Sequence, residues 1–169
     1  VGVEPGIKPA AMQSSNGIVS VLATEATLKS DKFNALLSTL PSHCQFIRQA
    51  GAGLVPLIEA GKANDGETLE LLAKHLEPIQ AAGSDTIVLG CTHYPFLRKA
   101  IRKLLGDKIN LIDTSEAVVK QLKRQLEALT TNSEAATSDH ASQYGAVHFF
   151  SSKDEQALLK MAQDLMHTD

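Results

Sequence analysis

The stretch Ile87-Val88-Leu89-Gly90-Cys91-Thr92-His93-Tyr94-Pro95 decides the fold. An apolar, β-branched run ends at Gly90 and Pro95 opens an amphipathic pattern, which predicts a buried strand, a tight turn and a helix. Cys91 falls on the turn. In an open parallel α/β sheet the strand ends and helix starts border the ligand crevice, where unpaired N–H groups favour an anion. A thiol placed there loses its proton more readily than a free one. The nonapeptide therefore offers a thiol, a hydroxyl, an imidazole and backbone donors within a few residues.

Upstream of it, residues 1–5 read as a strand end entering a turn and residues 9–13 as a short helix. Residues 18–23 form the first clear strand, and residues 31–40 a helix after it. Thr24 and Thr27 fall at that strand's end, where hydroxyls either hold a carboxylate or satisfy cap and turn positions. Residues 44–50 give the next strand, with Cys44 as a small, partly buried apolar side chain. A short helix over 55–61 carries Glu59, and a long one over 67–82 repeats Leu69, Leu72, Ala73, Leu76 and Ile79 at helical spacing, capped by Asn64 or Asp65 and bent at Pro78.

Downstream, the helix from Pro95 to Leu105 sets a core stripe against Arg98, Lys99, Arg102 and Lys103, which read as a solvated face. A short strand covers 110–113, with Asp113 ending it as a turn former on the same side of the sheet as Cys91. Thr114-Ser115 caps a helix running to about Leu129. Residues 130–145 are a polar loop or linker, followed by a strand over 146–150 and an amphipathic helix over 154–166 with Leu158, Leu159, Ala162 and Leu165 inward. The fold class is thus α/β, a parallel-sheet three-layer domain over residues 1–129 plus a C-terminal strand-helix segment over 146–169.

Composition bounds the function. The 169 residues suit one domain and an appendage, and a 43% apolar fraction supports a core filled by aliphatic side chains, since only seven residues are aromatic. A net charge of −3 leaves no basic footprint for nucleic acid. No apolar run approaches a membrane span and no leader is recognisable. Two isolated cysteines are expected in a reducing cytoplasm and show no zinc spacing, so no metal is expected. Lys8 lacks a phosphate-cradling loop, which argues against pyridoxal phosphate. A start at Val1 rather than Met is read as cleavage or a deliberate cut.

The strings LGCTHYP (89–95), GVEPGIKPA (2–10) and VLATEAT (21–27) resemble glutamate racemases, with His93 favouring that branch over the aspartate racemases. The resemblance runs along nearly the whole chain. It implies cofactor-independent interconversion of L- and D-glutamate, supplying D-glutamate for peptidoglycan in the cytoplasm, by an enzyme expected to be a homo-oligomer. It also implies that Cys91 is one of two catalytic cysteines, assisted by His93 with Glu59 behind it, and that Thr92, Thr24 and Thr27 bind substrate. The family's N-terminal portion, with the other cysteine, has no counterpart here. The 146–169 segment is implied to pack on that missing first domain, and the isolated chain is expected to be inactive.

The residues alone support a narrower statement. Inversion at Cα needs an acid/base group on each face, and one thiolate cannot serve both. Cys91 is a credible single member of such a pair. Two other readings stand beside it: a cysteine-dependent hydrolase or transferase using Cys91 and His93, and a non-catalytic amino-acid-binding domain.

Overall fold

The computed structural model describes residues 6–131, 148–152 and 154–166. The chain divides into two compact units, Val1–Leu122 and Lys123–Asp169. The expected strand end over residues 1–5 lies outside the described residues.

In the first unit, helix α1 (Ile7–Gln13) precedes strand β1 (Ile18–Ala23), helices α2 (Glu25–Lys29) and α3 (Asp31–Ser38), strand β2 (Gln45–Ala50), and helices α4 (Leu54–Glu59) and α5 (Gly66–Ala81). Strand β3 (Thr86–Leu89), helix α6 (Arg98–Leu105) and strand β4 (Asn110–Ile112) follow, and helix α7 (Ser115–Thr131) begins there. The four strands run parallel in the order β2-β1-β3-β4. β1 and β3 are central, which is why their sequences are near-continuous apolar runs: every residue of β3 is buried, and all of β1 after Ile18. β2 lies at an edge and can carry Gln45, Arg48 and Gln49, with the Arg48 guanidinium over the Phe33 ring at 5.4 Å.

Side chains alternate between the two faces of the sheet. Leu22, Ile87, Leu89 and Leu111 pack beneath α4, α5 and α6 with Leu54, Leu72, Leu76, Ile79 and Ile101. Val19, Val21, Ala23 and Val88 pack against α1, α2 and α3 with Ile7, Ala10, Leu28 and Phe33. The result is the expected three-layer parallel α/β domain, with helices on both faces.

Several local expectations change. α2 appears where none was expected, because five residues are too few to show periodicity. Its signal is a cap, Thr24 Oγ1 accepting from Thr27 N–H, and Ser30 Oγ caps α3 in the same way by accepting from Phe33 N–H, each cap followed by an acidic residue. Asp65 occupies the cap position of α5 without a side-chain capping bond. Tyr94–Leu97 form a 3₁₀ turn before α6, with Tyr94 N–H bonded to the Cys91 carbonyl at 3.1 Å. α7 reaches Thr131, past the expected start of the loop; residues 132–147 are not described. His148–Phe150 carry no strand, and residues 146–147 of the expected one lie outside the described residues. In the second unit, α8 (Glu155–Met166) is capped by Asp154 Oδ1, which accepts from the Gln156 and Ala157 N–H groups at 2.9 and 3.1 Å. Leu158 and Ala162, four apart, are half-buried, whereas Leu159 is exposed: a 100° rotation per residue turns it off their line. The burial of Leu165 is not among the described features.

Candidate active site

β1 has β2 on one side and β3 on the other, so chain connections diverge at the β1/β3 boundary. Ligand crevices in open parallel sheets form outside the carboxyl ends of the strands at such a point. A crevice of about 620 Å³ lies there, lined after β1 by Thr24 and Thr27, after β3 by Gly90, Cys91, Thr92 and Pro95, and after β4 by Asp113, Thr114 and Ser115 with Val118 and Val119.

The turn bearing Cys91 is held from below. Gly90 N–H bonds the Leu22 carbonyl at 2.8 Å, and a Cβ on Gly90 would come within 2.9 Å of Ala23 Cβ, so glycine is what lets the two central strands stay close as the chain turns. Tyr94, fully buried, donates its hydroxyl to the Gly51 carbonyl at 3.0 Å and ties the turn to the loop that leads into α4. A Cβ on Gly51 would overlap that hydroxyl. Burial, and then electrostatic repulsion from the neighbouring Cys91 sulfur, push the Tyr94 phenol up to about 12. Tyr94 therefore stays protonated near neutral pH and acts as a strut rather than as an acid or base.

Above this support, Cys91 Sγ lies 3.9 Å from His93 Nδ1, and His93 Nε2 lies 3.1 Å from Glu59 Oε1 at the end of α4. Thr92 Oγ1 stands 3.5 Å from the same Nδ1. When Nε2–H donates to the carboxylate, the Nδ1 lone pair faces the thiol and can take or return its proton. The side chains of Cys91 and His93 thus converge although only one residue separates them. Thr24 and Thr27 do two things at once: their hydroxyl oxygens lie 2.8 Å apart, Thr24 caps α2, and both line the crevice.

Asp113 also does more than turn the chain. Its Oδ1 accepts from Ser115 N–H at 2.8 Å, and its Oδ2 accepts from Arg98 Nε at 3.1 Å and from Arg98 Nη2. Burial works against its charged form, but the hydrogen bonds from Arg98 and Ser115 and the guanidinium charge outweigh it and hold the carboxyl below its usual range. Arg98 therefore leaves the solvated cationic face to which its spacing assigned it, while Lys99, Arg102 and Lys103 remain exposed. Nothing local in the sequence marks Thr114, Ser115, Val118 and Val119 as lining residues; their one signal is their position after a strand that ends beside Cys91. Cys44 is half-buried just before β2, its Sγ 3.9 Å from the Ala11 carbonyl, and Lys8 is exposed. Among the described residues no three His, Cys, Asp or Glu side chains gather as a metal site would require, and no helix is long and apolar enough to cross a membrane.

Fold and site together define a three-layer α/β domain with a thiol, an imidazole and a carboxylate in relay at its strand ends. The sequence model of the Asp/Glu/Hydantoin racemase family matches residues 3–122, and the chain belongs to that family. It is 54% identical over 128 residues to a glutamate racemase of Ralstonia nicotianae, covering 76% of this chain and 46% of that protein. Against a glutamate racemase of Cupriavidus pinatubonensis it is 45% identical over 172 residues, covering 100% of this chain and 60% of the relative. Among solved structures, Escherichia coli glutamate racemase in complex with L-glutamate and the activator UDP-MurNAc-ala superposes with a TM-score of 0.69 at 36% identity, over 75% of this chain and 48% of that one. The chain spans about half the length of the curated relatives it matches.

Proposed function

We propose that the chain is the Cys91-bearing part of a glutamate racemase that inverts Cα by two-base proton transfer without a cofactor. The observation that carries this reading is the relay Cys91···His93···Glu59 opening into a crevice lined by Thr24, Thr27, Thr92, Thr114 and Ser115. In one direction the Cys91 thiolate takes the α-proton from one face of glutamate, and in the other the thiol returns it. His93 sets the thiol's protonation and Glu59 orients His93. The hydroxyls of Thr92, Thr24 and Thr27 donate to the substrate carboxylates. The base for the opposite face comes from the N-terminal portion that the longer relatives carry, as does the second wall that excludes water from the reacting carbon. The 146–169 segment belongs with that first domain. The product serves peptidoglycan synthesis in the cytoplasm, and the complete enzyme, meaning this chain together with that portion, is a homo-oligomer.

Circular dichroism of glutamate solutions tests the reading. The 169-residue chain alone leaves L-glutamate optically active, and supplying the N-terminal portion produces loss of rotation that Cys91→Ala abolishes. Inversion by this chain alone would contradict the count of bases.

The convergence of Cys91 and His93 with Glu59 also favours a second reading, a thiol nucleophile in acyl transfer. Mass spectrometry separates the two: a hydrolase accumulates an acyl adduct on Cys91, and a racemase does not.

A further inference from the structure

The wall of the crevice after β4 contains a problem in electrostatics. Asp113 lies in the lining with a side chain only 12% exposed, so an unpaired carboxylate would present a poorly screened negative charge to any anion bound beside Cys91. Both of its oxygens are engaged. Arg98 holds Oδ2 through Nε at 3.1 Å and through Nη2, which also donates to the Leu111 carbonyl at 3.3 Å, and Ser115 N–H holds Oδ1 at 2.8 Å. Arg98 begins α6, directly after the 3₁₀ turn that follows His93, and Asp113 lies two residues before the start of α7. One ion pair thus links the segment that leaves the Cys91 turn to the segment that forms the third wall, and cancels the charge of the acidic group in that wall.

We propose that Arg98 is a charge-setting residue for the crevice: by pairing with Asp113 it makes the third wall tolerant of a dicarboxylate substrate. This rests on the reading of the site as one for glutamate. The planar guanidinium suits the task because it donates to a carboxylate and a carbonyl together, which a lysine ammonium does less well.

The test is steady-state racemisation of glutamate by the complete enzyme. Arg98→Met uncovers Asp113 and raises KM by about tenfold while kcat stays within about threefold, the cost of one uncompensated charge near the substrate. Asp113→Asn removes the charge at its source and leaves KM unchanged or lower, and the double variant Arg98→Met/Asp113→Asn returns KM to within about threefold of the starting enzyme. A bond with a merely structural role would make both single changes damaging in the same way. Equal KM rises in the two single variants, or a fall in kcat at unchanged KM, overturn the proposal. If Arg98→Met does not fold, Asp113→Asn decides alone, and a tenfold KM rise there overturns it. Absence of any turnover of glutamate by the unaltered complete enzyme removes the functional reading and this proposal together; turnover with the two variants alike removes only the proposal.

Discussion

Replacing Asp85 should destabilise the domain at the end of the sheet opposite the crevice, and the loss should fade in acid. The Asp85 carboxylate accepts five hydrogen bonds: Oδ1 from the Ser14 and Thr86 hydroxyls at 2.6 and 2.9 Å, and Oδ2 from Ser15 N–H, the Ser15 hydroxyl and Asn16 N–H at 2.7, 2.7 and 2.9 Å. They staple the turn between α1 and β1 to the start of β3. Hydrogen bonds to a charged acceptor are worth about 1.5–3 kcal/mol each, but three of these donors are hydroxyls that water can satisfy and the site is half-exposed. We therefore expect a total loss of only about 2–3 kcal/mol for Asp85→Ala, and about 1 kcal/mol for Asp85→Asn, whose amide can still accept from one backbone N–H while the hydroxyls turn to accept from it.

Burial raises the Asp85 pKa, but hydrogen bonds from Ser14, Ser15, Asn16 and Thr86 overrule it and hold the carboxyl far below the ordinary range. Because the folded pKa is depressed, the stabilisation is fully present above the unfolded value of about 3.9 and is lost as pH falls below it, by at most about 1.4 kcal/mol per pH unit. Urea unfolding of the unaltered chain and Asp85→Ala between pH 7 and pH 3 measures the difference, in which other titrating groups cancel. A difference below about 0.5 kcal/mol at pH 7, or one that stays constant down to pH 3, would refute this reasoning, since a surface contact of no consequence is worth roughly that little.

Other outcomes follow from the site. Tyr94→Phe removes the hydroxyl that bonds Gly51 and should cost about 1–1.5 kcal/mol in urea unfolding, whereas Gly51→Ala forces a methyl against that hydroxyl and should cost more, on the order of 1–3 kcal/mol. A thiol reagent should modify Cys91 before Cys44 in the native chain, because Cys91 lines the open crevice beside His93; peptide mapping that finds Cys44 labelled first reverses the assignment. In the complete enzyme, Glu59→Gln should slow the chemical step from one enantiomer more than from the other, as followed by initial hydrogen exchange from L- and D-glutamate separately. Equal losses would mean that Glu59 does not serve a single face.

How much could be read in advance depended on the distance over which each feature is encoded. β3 was legible because a central parallel strand must be apolar throughout, and α5 because Leu72, Leu76 and Ile79 repeat along one face. α2 was hidden by its length, and only its capping residues betray it. The Cys91 turn could be located from strand, glycine and proline alone, but the pairing of His93 with Glu59 joins residues 34 apart and came from the family resemblance, not from spacing. Helical periodicity groups Arg98 with Lys99, Arg102 and Lys103, while its partner Asp113 lies across the next strand. Asp85 reads locally as a turn residue; its donors at Ser14, Ser15 and Asn16 come from about 70 residues upstream, beyond any local pattern.

In the proposed mechanism the Cys91 thiol moves the α-proton on one face of glutamate. The most direct test is deuterium uptake at Cα in heavy water, followed by mass spectrometry, with the complete enzyme and its Cys91→Ser variant. The unaltered enzyme should invert glutamate and incorporate deuterium at Cα from either enantiomer, and Cys91→Ser should lose inversion by at least about a thousandfold, within the range that positioned acid/base groups contribute. Inversion retained to within about tenfold after Cys91→Ser would contradict that mechanism, because a serine hydroxyl is far too weak an acid to share the thiol's role at neutral pH.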